Sequence, residues 1–289
     1  MLVEETADAV LSLSSRFGQV DTAELLTACR RIVSSRPAGG PLWWMAARVL
    51  TAADVRREVH ELLEELAADR TATELEAALD HGATVTIVGW SVQAAQGLVR
   101  RGDVTVLVVD ALGEGAEVAH QLGRRGIDAR AVAAEGLASA VAASDVVLVE
   151  ATMAGPSEAL CLTGSVPTAA VAKHFEVPVW LVAGIGYRLP EPLYRAATGR
   201  WDASHDGGDP DRSGPSWHST RTGAAGAGNL VDEPQAPGMR QEERLGVALI
   251  DRVLCEAGLL PCPPIPNTPN FPRVPELERL GVVLGETGS

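Results

Sequence analysis

The chain has 289 residues, 46% of them hydrophobic, and a formal net charge of −14. That length holds one large domain or two ordinary ones, with enough apolar residues for a sizeable core. The acidic balance argues against a general nucleic-acid binder, which needs a surplus of Lys and Arg on some face, and no run of about 18 uninterrupted apolar residues offers a membrane span. Met1 to Leu13 carries Glu4, Glu5 and Asp8 and no basic residue. It therefore lacks the basic start of a secretory signal, and a cytoplasmic location is expected. The cysteines Cys29, Cys161, Cys255 and Cys262 form no C-x-x-C pair, and no H-E-x-x-H is present. Neither a metal site nor a disulfide framework is expected. No cofactor is expected either.

Apolar residues from Glu4 to Ser14 recur at helical spacing (Ala7, Val10, Leu11). Asp21 stands as an N-cap before a helix over Thr22 to Val33, with Glu24 three residues on as in a capping box. Leu42 to Leu50 and Ala53 to Ala68 continue the pattern, the second with a stripe of Val55, Val59, Leu62, Leu63 and Leu66. Thr73 to Leu79 completes a helical set. Residues 1–78 thus read as a small helical domain.

The period then changes. Thr84 to Val88, Val104 to Val109, Asp128 to Val132, Val146 to Val149 and Val177 to Val182 read as strands. Between them lie helical stretches: Val92 to Arg101, Glu117 to Arg125, Gly136 to Ala142 and Val166 to His174. Continuous apolar strands alternating with helices predict a parallel sheet covered on both faces. Residues 79–289 are therefore expected to form a Rossmann-like domain, and the whole chain an α/β protein. Residues 199–237, rich in Gly, Asp, Pro and Ser, read as a mobile insertion in which Trp201 and Trp217 alone could dock on the body. Gln241 to Ala257 reads as a helix, and the proline-rich stretch Leu259 to Val274 as an extended arm.

Ligands in such sheets bind beyond the carboxyl ends of the strands, which directs attention to 89–91, 110–114 and 152–157. Neither a P-loop nor a dinucleotide G-x-G-x-x-G follows any strand. Leu162-Thr163-Gly164-Ser165 opens a helix, where hydroxyls and free amides suit an anion or serve as an ordinary cap. Asp110 and Glu150 close apolar strands at the ligand edge. Each is a candidate acid or base, or a structural carboxylate capping a helix. Cys161 near a helix start is either an activated thiol or a small buried hydrophobe. Arg36 before Pro37 offers a fork suited to phosphate, or is a plain surface arginine.

The order of these features resembles the family that contains initiation factor 2B alpha, beta and delta subunits, methylthioribose-1-phosphate isomerase and ribose-1,5-bisphosphate isomerase. Ser35-Arg36-Pro37 with the helix to Leu50 is similar to that family's S-R-P-T helix. Ser91 sits where the family has an H-C-N-S turn, and Ser144 to Ala151 is similar to its D-x-V-L-V-G-A-D strand. Gly164-Ser165 and Ala172-Lys173-His174 to Val177-Pro178 resemble its G-T and A-K-x-x-x-V-P elements. Asn270-Phe271 and Val274-Pro275-Glu276-Leu277 resemble its C-terminal motif.

The resemblance implies a phosphorylated small-molecule ligand and a homodimer or larger assembly, without membrane or direct nucleic-acid contact. It places the isomerase cysteine on Gly89 (Trp90 if shifted by one) and the aspartate on Thr152. A glycine cannot act as acid, base or nucleophile, and a threonine hydroxyl is a poor base near neutral pH. The family's phosphate loop is echoed only by Arg16-Phe17-Gly18-Gln19. Arg16, Arg36, Gly89, Trp90, Ser91, Thr163, Gly164, Ser165 and Lys173 are the candidate ligand-binding residues. The leading expectation is a non-catalytic, factor-2B-like protein that binds a sugar phosphate or nucleotide and acts through protein contacts. The alternative is an aldose–ketose isomerase of the ribose-1,5-bisphosphate or methylthioribose-1-phosphate type, with Asp110, Glu150, Thr152 or Cys161 in a rearranged site. A third reading is a structural subunit whose pocket Trp90 fills.

Overall fold

A computed structural model describes residues 22–206 and 241–281, together with Val3, Thr6, Ala7 and Leu11. Four helices precede the first strand: α1 (Thr22–Ser35), α2 (Gly40–Thr51), α3 (Val55–Ala67) and α4 (Thr71–Ala78). Helix α2 carries Pro41 in its first turn, where the missing amide costs nothing. It is apolar nearly all round, and Leu42, Trp43, Trp44, Met45 and Val49 are all buried. Helix α3 is capped by Asp54, whose carboxylate accepts the Arg57 amide at 3.1 Å, and it turns Val59 and Leu62 inward.

The described residues that follow build one mixed sheet with its covering helices. Its elements are β1 (Thr84–Val88), α5 (Val92–Arg101), β2 (Thr105–Asp110), α6 (Gly115–Gly123), β3 (Asp128–Ala133), α7 (Leu137–Ala142), β4 (Val146–Ala154) and β5 (Glu158–Leu162). There follow α8 (Ser165–His174), β6 (Val179–Val182), α9 (Glu191–Asp206), β7 (Glu242–Gly246), β8 (Arg252–Cys255), β9 (Gly258–Pro261) and α10 (Pro275–Glu278). Strand order is β3-β2-β1-β4-β6-β8-β9, parallel from β3 to β8 and closed by the antiparallel β8–β9 hairpin. Alternation along β4 divides the core in two. Val146 and Leu148 join the layer under α5 and α6, and Val147, Val149 and Ala151 join the layer under α7 and α8.

Strand β4 runs on past the parallel sheet. From Ala151 it pairs antiparallel with β5, which pairs antiparallel with β7. This ribbon carries Met153 and Leu160 into the helical core, beside Trp43, Trp44, Leu193, Tyr194 and Trp201. Among the described residues, no helix is long and apolar enough to cross a membrane.

Two expectations are corrected. Residues 241–257 are not helical; they form β7, a 3₁₀ turn over Val247–Leu249 and β8. Their apolar residues sit at helical spacing, yet the free edges of β5 and β6 claim the backbone. The β8–β9 turn is Glu256-Ala257, closed by Gly258 at φ +104°, and it lacks the Asn-Gly signal that marks most tight hairpins. The expected insertion also begins too early. Residues 199–206 continue α9, and Trp201 is buried in the helical core. Residues 207–237 of the expected insertion, Trp217 among them, lie outside the described residues.

Helices α4 and α5 approach closely at Gly97, where an added Cβ would stand 2.8 Å from Leu75 Cβ and 2.9 Å from the Ala72 carbonyl oxygen. Alanine favours a helix interior by about 1 kcal/mol, but the clash involves backbone. Gly97→Ala is expected to destabilise the protein by about 1–3 kcal/mol in urea unfolding; unchanged or raised stability would show that the two helices can separate freely.

Candidate functional site

The carboxyl ends of β1, β2 and β4 meet the starts of α5, α6 and α8, as parallel strand–helix units require. Each helix start exposes amides that the helix itself cannot satisfy. At two of the three, α5 and α8, a carboxylate of this chain supplies acceptors.

Glu150 on β4 serves α5. Its Oε2 accepts the Gln93 amide at 2.9 Å, the Ala94 amide at 3.2 Å and the Ser91 hydroxyl through a short hydrogen bond. Burial pushes the Glu150 carboxyl above the usual carboxylate range, and these donors only partly offset that. Glu243 on β7 serves α8. One oxygen, Oε1, takes the Gly164 amide at 2.8 Å and the Val166 amide at 2.7 Å. Gly164 itself has φ +101°, and a Cβ there would stand 2.5 Å from that of Ala111, so only glycine fits. Asp110 turns back on its own loop, accepting the Gly113 amide at 2.6 Å.

A fourth carboxylate, Asp69, ties the same edge together. Its Oδ1 accepts the Thr71 amide and hydroxyl at 2.8 and 2.6 Å. Its Oδ2 accepts Gln93 Nε2 at 3.0 Å and the Ile185 amide at 3.1 Å. Gln93 Oε1 in turn accepts the Gly184 amide at 3.0 Å.

There is little room beside the β1 and β2 ends. The cavity between Gly89, Asp110, Gly115, Leu162 and Thr163 measures about 10 Å³, at the lower limit for a single water. Gly89 sits at φ +57°, with Leu162 3.0 Å from where a Cβ would be. Trp90 packs against the α5–α6 core layer, and the Arg125 guanidinium lies over its ring at 5.4 Å.

The fold thus brings Gly89, Trp90, Ser91, Asp110, Glu150, Thr163, Gly164 and Ser165 to one edge. Ser91 and Ser165 are buried there. Thr152 lies further along β4, its hydroxyl donating to the Leu160 carbonyl at 3.2 Å. Cys161 is fully buried on β5, and burial raises its thiol pKa far above the ordinary value. Its side chain packs in the core layer under α7 and α8. Lys173 stands in the last turn of α8, at the opposite end of the helix from Ser165. There it pairs with Asp251 at 3.3 Å. Arg36 is exposed in the turn between α1 and α2, and Arg16 lies outside the described residues. Among the described residues, no cluster of His, Cys, Asp and Glu could hold a metal ion.

Glu243, Asp69 and Gln93 escape the sequence reading. Glu243 lay inside a stretch read as helix, and Asp69 and Gln93 carry no motif. The one signal was the Gly-Ser helix start, which asks for an anion without saying whose.

No protein-family model and no curated protein matches the chain. Solved structures do. The translation initiation factor eIF-2B of Pyrococcus horikoshii OT3 superposes with a TM-score of 0.68 at 12% identity, covering 91% of this chain and 90% of that one. The beta subunit of eIF2B from Chaetomium thermophilum gives 0.61 at 17% identity, over 90% and 80%. A tetrameric eIF2B-beta2-delta2 complex from C. thermophilum gives 0.64 at 15%, over 89% and 83%. The chain therefore has the initiation-factor-2B fold, as the resemblance in its sequence implied.

A raised carboxyl pKa in the folded state favours folding while the group is protonated, and that advantage is lost as pH rises through the folded value. The stability of the wild type minus that of Glu150→Gln should thus fall as pH climbs from about 4 towards neutrality, in paired urea titrations. A flat difference would mean that burial does not dominate at Glu150.

Proposed function

We propose that this protein is a non-catalytic relative, in fold, of the initiation factor 2B subunits and that it acts through protein contacts as a homodimer or larger assembly in the cytoplasm. The helical residues 1–78 and the sheet residues 79–289 are its two working parts. The observation that carries the reading is the seating of Glu150 and Glu243 on the amides of α5 and α8. An isomerase of phosphorylated sugars needs an open pocket with at least two convergent titratable groups. Here Cys161 is buried, Thr152 bonds a carbonyl, and Asp110 bonds its own loop.

The same seating bears on ligand binding. A phosphorylated sugar or nucleotide at the start of α5 or α8 must displace the carboxylate seated there, because like charges cannot share one pair of amides. Contacts with other chains meet no such obstacle. The tetrameric eIF2B complex among the structural neighbours supports an assembly built from this fold.

Two measurements test the proposal. The purified protein, incubated with ribose-1,5-bisphosphate or methylthioribose-1-phosphate, should yield no isomerised product and show no rise in melting temperature. Turnover of either sugar would overturn the non-catalytic reading, and stabilisation abolished by Arg36→Ala would restore a phosphate pocket. Light scattering should give a particle of at least twice the chain mass; a monomer would remove the assembly from the reading.

A further inference from the structure

Strand β7 is fastened by three consecutive side chains. Glu242 accepts the indole N–H of Trp201 on α9 at 3.3 Å. Arg244 donates to Asp202 on α9 at 2.7 Å and to Glu158 at the start of β5 at 2.5 Å, with its guanidinium 5.6 Å above the Trp201 ring. Between them, Glu243 reaches α8. One short strand thus joins the helical layer, the ribbon and the sheet layer.

The fastening is mostly ionic. Leu245 is the one fully buried side chain of β7, and Gly246 ends the strand. On the backbone, β7 pairs with β5 alone among the described strands. Beside it on β5 is Cys161, directly opposite Glu243 in the β5–β7 register, wholly shielded from solvent in the core layer under α8.

We propose that β7 is a strap that opens as a unit, separately from global unfolding, and that its opening uncovers Cys161 and the first amides of α8. The physical basis is an imbalance of attachments. An edge strand with one apolar anchor opens at lower cost than the strands between two packed layers. Its charge-assisted bonds are strong while closed, yet the partly exposed Arg244 contacts weaken in salt. The strap therefore makes access to the carboxyl edge depend on ionic strength. This inference rests on the closed edge described for the proposed function, but it fails or stands by a different readout: thiol exposure rather than turnover.

The test is alkylation of the full chain with iodoacetamide, followed by mass spectrometry of the peptides that carry Cys161 and Cys29. Cys29 is comparably buried, but in the helical core on α1, and serves as the internal reference. Cys161 is expected to react faster than Cys29 in the wild type. The ratio should grow in about 1 M NaCl, where charges are screened beyond about 3 Å. Glu243→Gln and Arg244→Ala should each raise Cys161 labelling about tenfold or more without changing Cys29. If a variant fails to fold, both cysteines react together and the wild-type salt series decides. A single common rate for Cys161 and Cys29 in the wild type at both salt concentrations would overturn the strap.

Discussion

Helices that begin at the carboxyl edge of a parallel sheet present amides with nothing inside the helix to bond them. In this protein that demand is met by its own acids. Glu150 reaches α5 from the neighbouring strand β4, and Glu243 reaches α8 from β7, far along the chain. Other features of the edge depend on these two contacts. They fix the starts of α5 and α8 and, through Glu243, tie β7 beside its partner β5 to the Gly164 turn. The same geometry that makes such edges good phosphate sites makes them good seats for a carboxylate. The charge and the donor directions are alike.

The ribbon that carries these contacts also joins the two layers of the molecule. Beyond Glu150, β4 leaves the parallel sheet and places Met153 in the helical core, while β5 adds Leu160. Helix α2 can be apolar nearly all round because this ribbon covers the side that a surface helix would give to water. Gly40 at its start lies so close to the ribbon that a Cβ would stand 3.0 Å from the Thr152 carbonyl oxygen. Trp201 extends the joint. It is buried among the helices and held by Glu242, so α9 and β7 are positioned together.

Much of the fold was legible because its signals are local. The β-branched runs of β1 and β2 alternate with Ala- and Leu-rich stretches, and the bounds of β1 and α5 match the periodicity residue for residue. The terminal strands were not legible. Residues 241–257 have apolar side chains at helical spacing, and only the unfilled edges of β5 and β6 make them strands. The segment after residue 198 shows the opposite failure. Its Gly and Asp content suggests a loop, yet α9 continues for about two more turns around the buried Trp201. At the site, Asp110, Glu150 and the Gly164 turn were found at the edge where parallel-sheet topology puts ligands, whereas Lys173 was grouped with them only by resemblance. A ten-residue helix separates it from that edge.

The sequence by itself determined the α/β class, the helical beginning, the order of the first strands and the likeness to the initiation factor 2B group. These follow from hydrophobic period and from short motifs in a fixed order, both of which are properties of neighbours along the chain. The resemblance further implied Gly89 (or Trp90) and Thr152 at the places of the family's catalytic cysteine and aspartate. Only the tertiary structure decided what fills the helix starts. Glu243 is 79 residues from Gly164 in the chain, and Glu150 is 57 from Gln93. No local pattern links such pairs. They meet because sheet topology brings remote strands and helix starts to one edge, where an unsatisfied amide takes the nearest carboxylate in space.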